Sequence, residues 1–250
     1  MRGYILVLML GLLAPAAMAA DEVVVSPLKS AGEIAYYPKL TSFPDPQIRD
    51  RVNKILAGYG LKQSQDRRDC FKQLQEQHMQ KDKDSFYTAI EVTYISRRFL
   101  SLSVDGSYYC GVAYPVNGAA SPITMDLTHG VEVDWKKPFK PGFLSVADPK
   151  TGKTTVGKLA GLYRARYAKI RTDKDDQECR DAIGSEEFLD VTLRLDRAQG
   201  GLVIDPQLAH VVQACDEDIV FSEAELAPYI ADPNLLADLR DLGASSRAKH

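Results

Sequence analysis

Between Thr88 and Asp134, apolar and polar residues alternate almost without interruption, and this limits the possible folds more than any other feature. In the run from Phe99 to Val104, Phe99, Ser101 and Ser103 fall on one side of an extended backbone. Leu100, Leu102 and Val104 fall on the other. A period of two belongs to strands with unlike faces. Breaks are expected at Arg97, at Asp105-Gly106, from Pro115 to Gly118 and from Thr128 to Gly130, where turn residues stand. The stretch therefore predicts an antiparallel meander. With the segments described next, it predicts an α+β class: antiparallel β-meander and hairpins packed with a few helices.

Short strands are expected near Glu22–Leu28 and from Ile34 to Pro38. Asp45 and Pro46 are suited to start a helix, as cap and first-turn residue. Ile48, Val52, Ile55, Leu56 and Tyr59 follow at helical spacing, and Gly58 and Gly60 predict its end. The polar run Gln63–Asp84 reads as either a short helix or a solvated loop. Val156, Leu159, Ala160, Tyr163 and Tyr167 predict a second helix within Lys153–Arg171, with its basic residues on a solvated face. Asp173–Gly184 reads as a charged connector. Phe188–Asp196 and Gly201–Asp205 predict a hairpin. His210–Cys215 fits a strand or a helical turn, and Asp218–Ser222 a short strand. Ser222 and Glu225 form a capping-box pattern, and Leu235–Leu242 predicts a last helix.

The N-terminus has a basic start, an apolar run from Ile5 to Leu13, and Ala17-Met18-Ala19. These are the parts of a secretory signal peptide, residues 1–19, with cleavage expected after Ala19. The remainder, 20–250, is expected to be a single exported domain, periplasmic or secreted, with no membrane insertion. The four cysteines, Cys70, Cys110, Cys179 and Cys215, suggest disulfides in such a chain. Of the three connectivities, Cys70–Cys110 with Cys179–Cys215 is favoured, since each pair stays within one half of the chain. Each bridge is worth ~3–4 kcal/mol in the chain-entropy model. Charge is nearly balanced, and no basic tail or face argues for nucleic acid.

No catalytic motif, metal-ligand spacing or phosphate-binding glycine loop occurs, so no catalytic residue, metal or cofactor is expected. His78, His129 and His250 fall in polar, turn and terminal positions, and His210 reads as a core or edge residue. Asp126, Glu132 and Asp134 are expected on solvent faces of the meander. Asp173, Asp175, Asp176 and Glu178 lack ordered calcium-loop spacing and read as a solvated loop. The suggestive cluster is aromatic. Tyr108, Tyr109, Tyr114 and Trp135, with Asn117, fall near meander ends and turns, where aromatics either stack on sugars or anchor a protein partner, or else cover the open end of the core.

The order of several short motifs resembles the extracytoplasmic domain of the anti-sigma factor RsiV, which also stands beside the catalytic domain of the peptidoglycan deacetylase PdaC. The motifs are Tyr37-Pro-Lys-Leu40, the helix Ile48–Ile55, and the hairpin from Ile95 to Val104. Gly111-Val-Ala-Tyr-Pro115, Met125–Gly130, Gly201–Pro206 and Glu225–Tyr229 follow in order. The likeness spans Tyr36–Ile230. It departs from the family at Tyr114, where the family often has His, and in its four cysteines. The resemblance implies a mixed helix and antiparallel-sheet fold. It also implies a binding role at the cell envelope, towards a lysozyme-like wall hydrolase or an envelope glycan. The alternatives are a hydrolase or deacetylase of envelope glycan, and a purely structural envelope protein.

Overall fold

A computed structural model of the protein describes residues 22–31, 34–80, 85–111, 116–117, 121–147, 154–172, 177–185, 191–208 and 210–247. The expected signal peptide and Tyr114 lie outside the described residues, as do residues 173–176 and the expected start of the hairpin at 188–190. Short strands β1 (Val24–Val25), β2 (Lys29–Ala31), β3 (Ile34–Tyr36) and β4 (Leu40–Ser42) precede the long helix α1 (Pro46–Glu76). Next come β5 (Phe86–Ile95), β6 (Phe99–Tyr108), β7 (Val116–Asn117), β8 (Ile123–Asp126) and β9 (Val131–Glu132). A small hairpin, β10 (Ser145–Ala147) and β11 (Thr154–Val156), leads to α2 (Lys158–Ile170) and α3 (Gln177–Gly184). Strands β12 (Val191–Asp196), β13 (Gly201–Pro206) and β14 (Ile219–Phe221) follow, then α4 (Glu223–Leu226) and α5 (Pro233–Arg247). The protein is α+β.

The meander forms the middle of the larger sheet. Among the described residues this sheet has seven strands, ordered β2-β3-β5-β6-β8-β9, with β7 also paired to β6. One pair departs from the antiparallel expectation. β3 runs parallel to β5 through Ile34 and Thr88, as a helical crossover allows. The expected turn at Asp105-Gly106 is also corrected. Both residues lie inside β6, paired with Ala89 and Thr88. The ladder continues through them because Phe86, Tyr87, Ser107 and Tyr108 still pair beyond.

Helix α1 covers one face of this sheet. Asp45 Oδ1 accepts hydrogen bonds from the backbone N–H groups of Gln47, at 2.7 Å, and Ile48, at 3.2 Å. Ile48, Val52 and Leu56 pack on Leu100, Leu102, Ile123 and Met125. Asn53 ties β4 to the helix, accepting from Leu40 N–H at 2.7 Å and donating to Leu40 C=O at 3.0 Å. The expected stop at Gly58 and Gly60 is not observed. The helix runs on to Glu76, so the first part of Gln63–Asp84 is helix rather than loop. Two interior glycines cost about 1 kcal/mol each relative to alanine. Burial of Cys70 and Leu74, one turn apart, holds the far end. The Cys70–Cys110 disulfide anchors it to the residue just beyond Tyr109.

The other face of the sheet carries a second layer built from α2, α3, β12, β13, β14 and α5, and the larger core lies there. Phe99 and Tyr94 enter that core. The polar half of the alternation is not solvated here. Ser101 is fully buried, and Thr93 and Thr124 nearly so. Ser101 Oγ accepts from Leu195 N–H at 3.1 Å, and Thr93 Oγ1 donates to Leu195 C=O at 2.7 Å. Ser101 and Thr124 hydroxyls also meet at 3.0 Å. Hydroxyls of the larger sheet thus satisfy the free edge of β12, which would otherwise leave buried backbone groups unpaired. A register shift between Val92 and Tyr94 lets Thr93 and Tyr94 both reach this layer. There Tyr94 donates to the fully buried Asp238 of α5 at 2.5 Å, and Arg98 pairs with the same carboxylate.

The expected connector before β12 contains α3, whose Cys179 is bridged to Cys215. Arg164 fastens it by donating to Ile183 C=O at 2.9 Å and Ser185 C=O at 3.1 Å. Cys215 ends the 3-10 segment His210–Cys215. Both disulfides therefore join as the sequence suggested.

Candidate functional site

The stripe that faces the sheet from α1 does not stop at Leu56. Tyr59, Lys62, Gln63, Asp66, Asp69 and Gln73 continue it at three- and four-residue steps. These side chains are polar, and between Leu56 and Cys70 no residue of α1 is buried. About 20 Å of helix, at 1.5 Å per residue, thus runs over the sheet without a core beneath it. The space left is an open groove of about 810 Å³. Its sheet side is formed by Phe86 and Thr88 of β5, by Val104, Gly106 and Tyr108 of β6, and by Ile123 of β8. Thr88 and Gly106 are register partners, so a small side chain faces none at all on the floor. Glycine within a strand weakens it and permits close approach of another group.

The groove has two aromatic ends. At one, Phe86 and Tyr108 stack with centroids 6.2 Å apart beside the Cys70–Cys110 bridge. At the other, Tyr37 and Tyr59 rings lie 5.8 Å apart, and the Tyr59 hydroxyl donates to Glu132 Oε2 at 2.5 Å. Burial pushes the Tyr37 phenol up to about 12. Burial, reinforced by the Glu132 hydrogen bond and charge, raises Tyr59 as well, so both remain protonated donors. Between the ends, Gln63 Nε2 spans from helix to sheet, donating to Ala35 C=O at 3.1 Å and to Thr88 Oγ1. Three carboxylate side chains, Asp66, Asp69 and Glu132, line the groove against one lysine, Lys62.

Of the residues singled out from sequence, Tyr108 lines this groove. Tyr109 is half-buried beside it, its N–H donating to Ser85 C=O at 3.0 Å. The backbone of Asn117 pairs with Ser107, and its side chain lies outside the described residues. Trp135 packs elsewhere, against the second-layer core, with its ring 6.3 Å from that of Phe139. Tyr37, Tyr59, Phe86 and Tyr87, with the α1 stripe, complete the lining and were not singled out. The one signal for them was the unbroken helical spacing beyond Gly60. Glu132, expected to face solvent, is exposed but serves as the acceptor for Tyr59.

His129 and Asp126 form a close pair, Nδ1 to Oδ2 at 2.6 Å, with Thr128 Oγ1 2.8 Å from the same nitrogen. Burial raises the Asp126 carboxyl, but hydrogen bonds from Thr128 and His129 outweigh it and hold the group below its usual range. A relay needs acid and nucleophile on opposite ring nitrogens. Here both use Nδ1, and the group instead closes the turn before Gly130, whose φ of 68° only glycine adopts readily.

A second groove, of about 410 Å³, opens between the layers. Arg194, Asp205, Asp216 and Asp218 meet Ser103 and Asp105 of β6 there. Arg194 pairs with Asp218. Burial, with the charge of Asp218, raises Asp205 to about 6. Burial, with Asp205 and Asp218, raises Asp216 to about 7. Among the described residues, no three His, Cys, Asp or Glu side chains converge as metal ligands. Nor is any described helix long and apolar enough to cross a membrane.

No protein-family model matches the chain, and no curated protein matches it in sequence. Several solved structures are similar, two of them as follows. A member of the DUF3298 family from Bacteroides fragilis aligns at a TM-score of 0.51 and 12% identity, over 88% of this chain and 96% of that one. A DUF3298 family protein from Pseudomonas aeruginosa aligns at 0.50 and 13%, over 86% and 94%. The chain shares their fold. The coverage of both partners shows that the likeness takes in α1, the larger sheet and the second layer together, rather than one motif.

Proposed function

We propose that the protein is an exported, non-enzymatic binding protein of the cell envelope, and that the groove under α1 receives an envelope glycan. The observation that supports this most is the lining: aromatic faces at both ends, with amides and carboxylates between. Sugars present flat C–H faces and a rim of hydroxyls, and such a lining complements both. Two disulfides suit an oxidising compartment, in line with the signal-peptide pattern at residues 1–19. The resemblance to the RsiV-like domain points to the envelope as well. It offers a wall hydrolase as partner too, but a groove of about 810 Å³ has the size of a small-ligand cleft, whereas a protein partner needs a broader contact surface.

Titration of soluble wall-glycan fragments into the protein tests the proposal. Binding should weaken about tenfold in Tyr59→Ala and in Tyr108→Ala, the worth of one lost aromatic contact. No binding by the native protein, or variants that bind as tightly as the native protein, overturns it.

The second groove supports a different reading, a glycan hydrolase. A carboxylic acid that keeps its proton near neutrality beside an ionised carboxylate is the pairing such chemistry uses. Asp216 would be the acid and Asp218, which pairs with Arg194, the second carboxylate. Turnover of wall glycan that disappears in Asp216→Asn selects this reading. Binding without turnover selects the first.

A further inference from the structure

We infer that the groove under α1 selects amine-bearing sugars, such as de-N-acetylated amino-sugar oligomers, over their N-acetylated counterparts. This rests on the glycan reading of that groove and adds a charge requirement to it. The lining holds three carboxylates and one ammonium, so an occupant meets a net negative wall. Asp66 and Asp69 stand on the α1 side, and Glu132 on β9. Lys62, the one lysine among the described lining residues, is exposed. Among the described residues the lining therefore keeps an excess of negative charge.

An N-acetylated sugar brings no charge to offset this wall. A free sugar amine, protonated in mildly acidic solution, donates charge-assisted hydrogen bonds to carboxylates and is drawn to aromatic faces. Tyr59 and Tyr37 present such faces close to Glu132. The same charges disfavour anionic occupants.

The test uses the full mature chain with two probes, a chitosan tetramer and the fully N-acetylated chitin tetramer, and tetralysine as a third. Calorimetry at low salt and pH 5.5, where the sugar amines are protonated, should show the chitosan oligomer bound about tenfold more tightly than the chitin oligomer, the scale of one charge-assisted hydrogen bond. The preference should shrink as salt is raised and vanish in Asp66→Asn/Asp69→Asn. Both residues are exposed, so this variant keeps the fold. Equal affinity for the two sugars overturns the inference and leaves the glycan reading standing. A preference that survives in the variant, or tetralysine bound as tightly as chitosan, also overturns it. Binding of neither sugar removes the glycan reading itself.

Discussion

The two halves of α1 lie on the same sheet and keep the same helical stripe towards it, yet they do different things. Ile48, Val52 and Leu56 of the first half fill the space against Leu100, Leu102 and Met125. In the second half Tyr59, Gln63, Asp66 and Gln73 occupy the equivalent positions, and the space stays open. Where the stripe is apolar the interface is a core. Where it is polar the helix is held by a disulfide and one buried turn, and the interface is a groove. The second half gives up burial, and with it stability, for a concave polar surface. A site of that kind needs an external tether, and Cys70–Cys110 supplies one.

The largest expected effect tests the tether. Cys70→Ser/Cys110→Ser opens a link between residues 40 apart in sequence, which the chain-entropy model values at ~4 kcal/mol. Chemical denaturation should show that loss, and amide exchange should rise in the second half of α1 while the first half stays protected. Equal loosening of both halves would break the contrast. Next, Leu56→Ala should destabilise by about 3 kcal/mol, because Leu56 is 1% exposed and its removal leaves a cavity. Asp66→Ala, at a stripe position over the groove, should change stability by less than about 0.5 kcal/mol.

The second groove sharpens the comparison through pH, since it crowds a half-buried Asp205 against the more exposed Asp216 and Asp218. Asp205 and Asp216 are raised from 3.8 to about 6 and about 7. Both hold protons more tightly folded than unfolded, so their protonation favours the fold. That contribution is complete below about pH 4 and is lost as pH rises through 6 and 7. Thermal unfolding should therefore show, from this cluster, a gain of about 1–2 kcal/mol at pH 5 over pH 8 after allowance for solvent screening. Asp205→Asn/Asp216→Asn should flatten it. A small effect of the opposite sign concerns the junction of the two halves. An added methyl at Gly58 meets no atom within 4 Å, so Gly58→Ala should stabilise by about 0.5–1 kcal/mol.

Much of this architecture was legible from periodicity. The strands around Phe99–Val104, the β12–β13 hairpin and the first half of α1 each carry the pattern of their element. Both cysteine pairings followed from chain locality. Three features were not legible, each for a physical reason. The second half of α1 has no apolar face, because the surface it confronts is a groove, and Gly58 and Gly60 imitate a stop. Asp105-Gly106 resembles a turn, yet cross-strand pairing with Thr88 and Ala89 overrides that local preference. Ser101 alternates like a solvent-facing residue, but its hydroxyl is used by the edge of β12, a partner 94 residues away. The site itself was half visible. Tyr108 marks it, while Trp135, close in sequence to the meander, belongs to the other layer.

The most direct test of the groove is amide hydrogen exchange on the mature protein with and without soluble wall-glycan fragments. Added protection confined to residues 58–76, 86–88 and 104–108 is the predicted result. Protection centred on residues 205–218, or none anywhere, would contradict the account.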